Sequence, residues 1–320
     1  MAIWKAHITR SALLLVWLLA FAPDARAGVV LIFDPQGRFD LEETAEQAIQ
    51  YANAYLKRQA TAGSAGQELR LRGSSKDVLD ALERQVQQVP TDLNLQTALG
   101  VTLFGVERRK EAQRHFEQVV HANPSYAIGH CYLAYVARHE NDLSGVVKHF
   151  EQAIQADPTY VPAYNSLAMG YSAMGNNDAA FRVLAQGIVR FPDEASFLIN
   201  QAYLYASEEQ RWEAAEVSLR RAIIIQPTVH NRLLLGMILS KHQQYERAQT
   251  VFESILDTNP KNVMALVWLA GTYRDRHDHT KAIALIEQAI ALEPANKDLH
   301  DELREHQEAY RNWKNQEKKE

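Results

Sequence analysis

At 320 residues, 47% hydrophobic and 23% charged, with 14 Gly, 10 Pro and one Cys, the chain has the composition of an ordinary folded protein. Disorder, a collagen-like array and a disulfide-stapled miniprotein are excluded, and a single thiol can make neither an intrachain disulfide nor a Cys-rich metal framework. Thirty-four basic against 39 acidic residues leave a formal net charge of -5, which gives no electrostatic reason to expect nucleic acid as a partner.

The first 27 residues differ from the rest. Lys5 and Arg10 precede an uninterrupted apolar run from Ala12 to Ala22, followed by Pro23 and Ala25-Arg26-Ala27. This is the layout of a secretory signal peptide, with cleavage expected after Ala27. As a helix the run rises only about 16 Å, about half the hydrocarbon thickness of a bilayer. The expectation is therefore an exported, periplasmic protein of residues 28–320, with 31 basic and 38 acidic residues. Its Cys131 is expected to be sheltered rather than reactive, because an exposed thiol mispairs in an oxidising compartment. A chain that kept residues 1–27 would instead be a membrane-tethered assembly factor.

Residues 28–75 form an N-terminal segment. An apolar run, Val29 to Phe33, precedes a helical stripe through Leu41, Ala45, Ala48, Ala52, Tyr55 and Leu56, and a Gly/Ser-rich linker covers Thr61 to Ser75. A further helix is expected over Lys76 to Val89. Residues 40–90 read either as a degenerate repeat or as a separate module.

The prolines then reveal the organisation. Pro90, Pro124, Pro158, Pro192, Pro227, Pro260 and Pro294 stand 33 to 35 residues apart. Eight places before each proline from Pro124 onward come Phe116, Phe150, Leu184, Leu219, Phe252 and Ile286; twelve before come Ala112, Val146, Ala180, Ala215, Ala248 and Ala282. A third column holds Gly100, Ala134, Ala168, Ala202, Gly236 and Ala270. Small residues let two antiparallel helices approach, large ones fill the space between neighbouring hairpins, and each proline ends a second helix. The off-ladder spacings imply an insertion near Glu208 to Arg211 and a deletion after Pro227, both in turns.

These columns resemble the tetratricopeptide repeat, a helix-turn-helix unit of 34 residues. The resemblance covers six repeats over 93–296 within an array of 76–296, closed by a capping helix and polar tail at 297–320. It implies an all-α, right-handed superhelical solenoid of hairpins that bury their apolar faces only against neighbours. It also implies that certain first-helix positions line a concave groove: Asn94, Tyr132, Tyr135, Asn165, Met169, Asn200, Tyr203, Met237 and Trp268, together with Thr97, Val101, Cys131, Leu233 and Leu234. Where relatives that grip a terminal carboxylate carry a Lys/Asn/Arg clamp, this chain has Thr97, Val101, Cys131, Tyr135 and Met169, so an acidic chaperone tail is not the expected ligand.

Signs of catalysis are sparse. His139-Glu140 lacks a second His four residues after the first, Gly63 and Gly66 lead to no Lys-Ser or Lys-Thr, and no Gly-x-Ser-x-Gly occurs. Asp275, His277, Asp278 and His279 form the strongest metal-like cluster but fall in an expected solvated turn, as does the mixed-charge run around Arg108-Arg109-Lys110. The sequence thus predicts a non-catalytic scaffold without cofactor or metal. Its partner is a peptide or helical segment of another protein, neither nucleic acid nor a small-molecule substrate, and it meets membranes only through partners or an uncleaved signal. The setting is assembly of a cell-envelope complex. The alternative is an enzyme or metal-dependent protein with its site on the N-terminal module or on the Asp275 to His279 turn.

Overall fold

A computed structural model describes residues 75–207 and 211–317. The expected signal peptide, the Leu41 to Leu56 stripe, nearly all of the Gly/Ser-rich stretch and residues 208–210 of the insertion lie outside the described residues. Those described form fourteen α-helices and no strand, an all-α fold of helix-turn-helix repeats. None of the helices is long and apolar enough to cross a membrane.

Two compact units are present, one running to Val183 and the other from Leu184. The first holds α1 (Ser75–Gln88), α2 (Leu93–Gly105), α3 (Arg109–Ala122), α4 (Ala127–His139), α5 (Leu143–Ala156) and α6 (Val161–Ala173). The division falls inside α7 (Asn177–Arg190). The second unit continues with α8 (Ala195–Ser207), α9 (Trp212–Ile225), α10 (Val229–Lys241), α11 (Tyr245–Thr258), α12 (Val263–Asp275), α13 (His279–Leu292) and α14 (Lys297–Glu317). The last helix extends further into the polar tail than the sequence suggests. The deletion after Pro227 is visible as a three-residue connection between α9 and α10, where α3 and α4 are joined by four.

Local chemistry sets the helix ends. In the turn inside each fully described hairpin one residue adopts a left-handed backbone: Glu107 (φ 64°), Asn141 (60°), Gly175 (76°), Gln243 (60°) and His277 (66°). These stand 34 residues apart, or 68 across the turn that contains residues 208–210. Only Gly175 takes that conformation without steric cost. Several following helices are capped by a side chain: Asp142 accepts from Gly145 N at 2.9 Å, and Asp278 from Lys281 N at 3.2 Å. Between hairpins, a side chain six residues after the proline often reaches back to the proline carbonyl. Gln96 Nε2 donates to Pro90 O at 2.9 Å and Tyr164 OH to Pro158 O at 3.1 Å, while His130 and His300 place Nε2 at 3.0 and 2.9 Å from Pro124 O and Pro294 O. Four positions with three residue types thus satisfy the same exposed carbonyl.

Packing corrects one detail of the sequence reading. A Cβ added to Gly100 would lie 2.5 Å from the Phe116 ring, and one added to Gly236 would lie 2.5 Å from the Phe252 ring. The large residues therefore fill the seam within their own hairpin, against the small column, instead of only bridging hairpins. Phe116 is also stacked at 4.9 Å on Tyr132 of α4, in the next hairpin, so the same ring serves both seams. In the first unit a continuous core runs from Leu79 and Leu82 of α1 through Leu99 and Phe116 to Leu133 and Val136. In the second, Ala270, Ala282 and Ile286 meet Leu303 of α14, which covers the final hairpin.

Candidate functional site

The candidate residues of the first unit stand on its first helices. Asn94 opens α2, half-buried, and its Oδ1 accepts from Tyr126 OH at 2.7 Å. Tyr126, a partner the sequence did not single out, fixes that amide; burial pushes its phenol up from the ordinary value. On α4, Tyr132 meets Tyr135 edge-on at 5.9 Å, and Tyr135 meets Phe150 in the same manner at 5.5 Å. With Phe116 these rings make one aromatic row across two hairpins. The Tyr135 phenol, hydrogen-bonded with Ser166, is raised by burial. Both tyrosines are half-buried, which gives them a packing role as well as a surface. Asn165 and Met169 are half-buried on α6.

Several neighbouring positions are not surface at all. Thr97, Val101 and Cys131 are buried, and Thr97 Oγ1 is spent on Leu93 O at 2.7 Å. Burial pushes the Cys131 thiol up to about 12, which makes it inert at neutral pH.

In the second unit Asn200 and Tyr203 on α8 and Trp268 on α12 are half-buried. Met237, expected in the groove, is 5% exposed, and Leu233 and Leu234 are likewise buried. The α10 face assigned to a ligand therefore belongs to the core. A single apolar position on a first helix reads alike for groove and core, since both repeat at helical period. The Tyr203 phenol oxygen and the Trp268 Nε1 are buried with no hydrogen-bond partner, and burial raises the Tyr203 phenol. An orphaned buried donor costs about 1–3 kcal/mol, a cost that a ligand acceptor removes. α10 and α12 run side by side, with Ser240 Oγ 3.3 Å from Thr272 Oγ1.

The members of the metal-like cluster do not converge on one point. Asp275 pairs with Arg274 at 3.0 Å, Asp278 caps α13 and pairs with Lys281 at 3.0 Å, His277 is the exposed left-handed turn residue, and His279 is buried beside Tyr310 and Trp313. Among the described residues no three His, Cys, Asp or Glu converge on a position that could hold a metal ion. The basic run is neutralised locally: Arg108 contacts Glu111 at 2.7 Å and Glu83 at 3.2 Å, and Arg109 contacts Glu107 at 3.5 Å.

A family model described as "Tetratricopeptide repeat" matches residues 97–161, 165–229 and 233–297. No curated protein matches the chain. Among solved structures, a tetratricopeptide repeat protein from Parabacteroides merdae is similar with a TM-score of 0.55 at 11% identity, covering 83% of this chain and 99% of that one. The C-terminal part of a repeat-containing protein from Cytophaga hutchinsonii gives 0.54 at 15%, covering 80% and 99%. Yeast Tom70 gives 0.53 at 14%, covering 98% and 72%. The Cut9-Hcn1 complex of the APC/C is matched over only 55% of its chain, at 16% identity and a TM-score of 0.53. At these identities the likeness concerns the fold.

Proposed function

The chain belongs to the tetratricopeptide repeat family, and we propose that it is a non-catalytic scaffold that holds a peptide or helical segment of a partner protein against its first helices. The setting we propose is assembly of a cell-envelope complex after export to the periplasm. The observation that carries the binding reading is the pair of buried donors without partners, Tyr203 OH and Trp268 Nε1. Tyr203 stands on α8 one turn from the half-buried amide of Asn200, and Trp268 stands on the first helix α12. Aromatic residues supply contact area at small entropic cost, and an amide can bond the backbone of a bound segment whatever its sequence. The N-terminal run from Lys5 to Ala27 supports export.

Peptides selected from a displayed random library on the full chain provide the probe. Tyr203→Phe deletes its hydroxyl donor at nearly constant ring volume, and Trp268→Phe deletes the indole N–H together with one fused ring. Each is expected to weaken the selected peptides up to about tenfold, the worth of one hydrogen bond, with the helical circular dichroism unchanged. Undiminished affinity in the double variant sinks the binding face proposed here. N-terminal sequencing of the protein recovered from cells addresses export separately; a mature chain beginning at Gly28 supports it, and one beginning at Met1 refutes cleavage.

A further inference from the structure

The seam between the final helix and the last hairpin holds two imidazoles with no hydrogen-bonding partners. His306 of α14 is 1% exposed and His279, which opens α13, is 4% exposed; none of their four ring nitrogens makes a hydrogen bond. His279 lies against Tyr310 and Trp313 of α14, at 5.7 and 5.5 Å between ring centroids. One turn before His306 on the same helix, Leu303 packs against the cluster of Ala270, Ala282 and Ile286. We propose that this seam is an acid-operated latch, in which proton uptake by His279 and His306 lifts α14 from the last hairpin and uncovers the apolar face of α12 and α13.

The groups facing the two rings come from three elements and from the turn before α13. Arg274 of α12 bears on both and opposes the proton, and His279 opposes it at His306. From the turn, His277 opposes a proton on His279 and Asp278 favours one. On α14 itself the Glu302 carboxylate stands 3.7 Å from His306 Nε2, outside hydrogen-bond reach, and about one third of that side chain is exposed to water. Burial outweighs these, lowering His279 and holding His306 down to about 3.

A histidine whose value is depressed in the docked state binds fewer protons there than when α14 is free. Docking strength is thus fully present above the ordinary histidine value near 6.5 and is lost as the pH falls from there toward about 3. Within that window each histidine weakens docking by up to about tenfold per pH unit, and the two together by up to about a hundredfold. The inference is independent of what the first helices bind.

Peptide-resolved hydrogen exchange on the full chain, corrected for the intrinsic pH dependence of amide exchange, reads the latch directly. From pH 7 to pH 5 the protection of 297–317 is expected to fall at least about tenfold relative to α10. The variant carrying His279→Phe and His306→Leu is expected to keep its protection over the same range. Wild-type protein in which α14 keeps pace with α10 overturns the proposal without any variant. So does a folded double variant that opens at the wild-type pH. Should that variant not fold, His306→Gln, neutral at every pH, must make the loss of protection less steep than in wild type; an unchanged pH profile rejects the latch.

Discussion

Two glycines of this chain, Gly175 and Gly271, have nothing within 4 Å of where a Cβ would sit, yet substitution should move stability in opposite directions. Gly271 is inside helix α12, where alanine is better by about 1 kcal/mol, so Gly271→Ala is expected to stabilise by about that amount. Gly175 holds the left-handed turn at φ 76°, and Gly175→Ala is expected to cost about 1–2 kcal/mol. Gly236→Ala differs again. Its backbone tolerates alanine, but the Phe252 ring would stand 2.5 Å from the new carbon, and overpacking of this kind costs about 1–3 kcal/mol. Urea unfolding of the three variants, each read by its midpoint, checks both signs and order. The small column was legible in the sequence because it recurs as a residue type. The turn residue was not, because Glu107, Asn141, Gln243 and His277 share a backbone conformation and no side-chain chemistry.

Between elements, the ties that a repeat pattern cannot reveal are those made once. Glu216 of α9 is buried, with Arg220 of its own helix at 2.6 Å and Arg247 of α11 bound to the same carboxylate oxygen. These residues lie in neighbouring repeats, and no other column echoes them, so nothing in the repeat pattern signals the pair. The two arginines are half-exposed and can be hydrated without their partner, whereas the carboxylate cannot. An asymmetry is expected to follow. Glu216→Leu, which removes the buried charge, should cost about 1 kcal/mol or less, whereas Arg220→Met combined with Arg247→Met strands the carboxylate and should cost about 2–3 kcal/mol. Equal costs in urea titrations would mean that the ring of charges contributes only surface attraction. The capping contacts are simpler: Asp142→Ala removes the acceptor of Gly145 N and should destabilise by about 1 kcal/mol.

At the scale of the molecule, the proline ladder made the hairpin count and order readable, because every repeat solves the same packing problem with the same residue types. The candidate binding face was less readable. First-helix positions such as Met237 and Tyr203 occupy the same register in their repeats, and only three-dimensional packing makes one core and leaves the other with an orphaned hydroxyl. The same architecture governs how damage spreads. In the second unit each helix packs chiefly on the next in sequence, α10 on α11, α11 on α12, and so on to α14. Stability in such an array is approximately a sum of local terms joined by nearest-neighbour interfaces. Phe252 of α11 is fully buried, so Phe252→Ala should cost about 3–5 kcal/mol through its cavity. That loss should appear unevenly. Hydrogen exchange is expected to quicken most in α10, α11 and α12, less in α13, and least in α14, three interfaces beyond α11. A globular core would instead lower protection everywhere by one amount, and an even loss across α10 to α14 would show that the second unit unfolds as a single cooperative block.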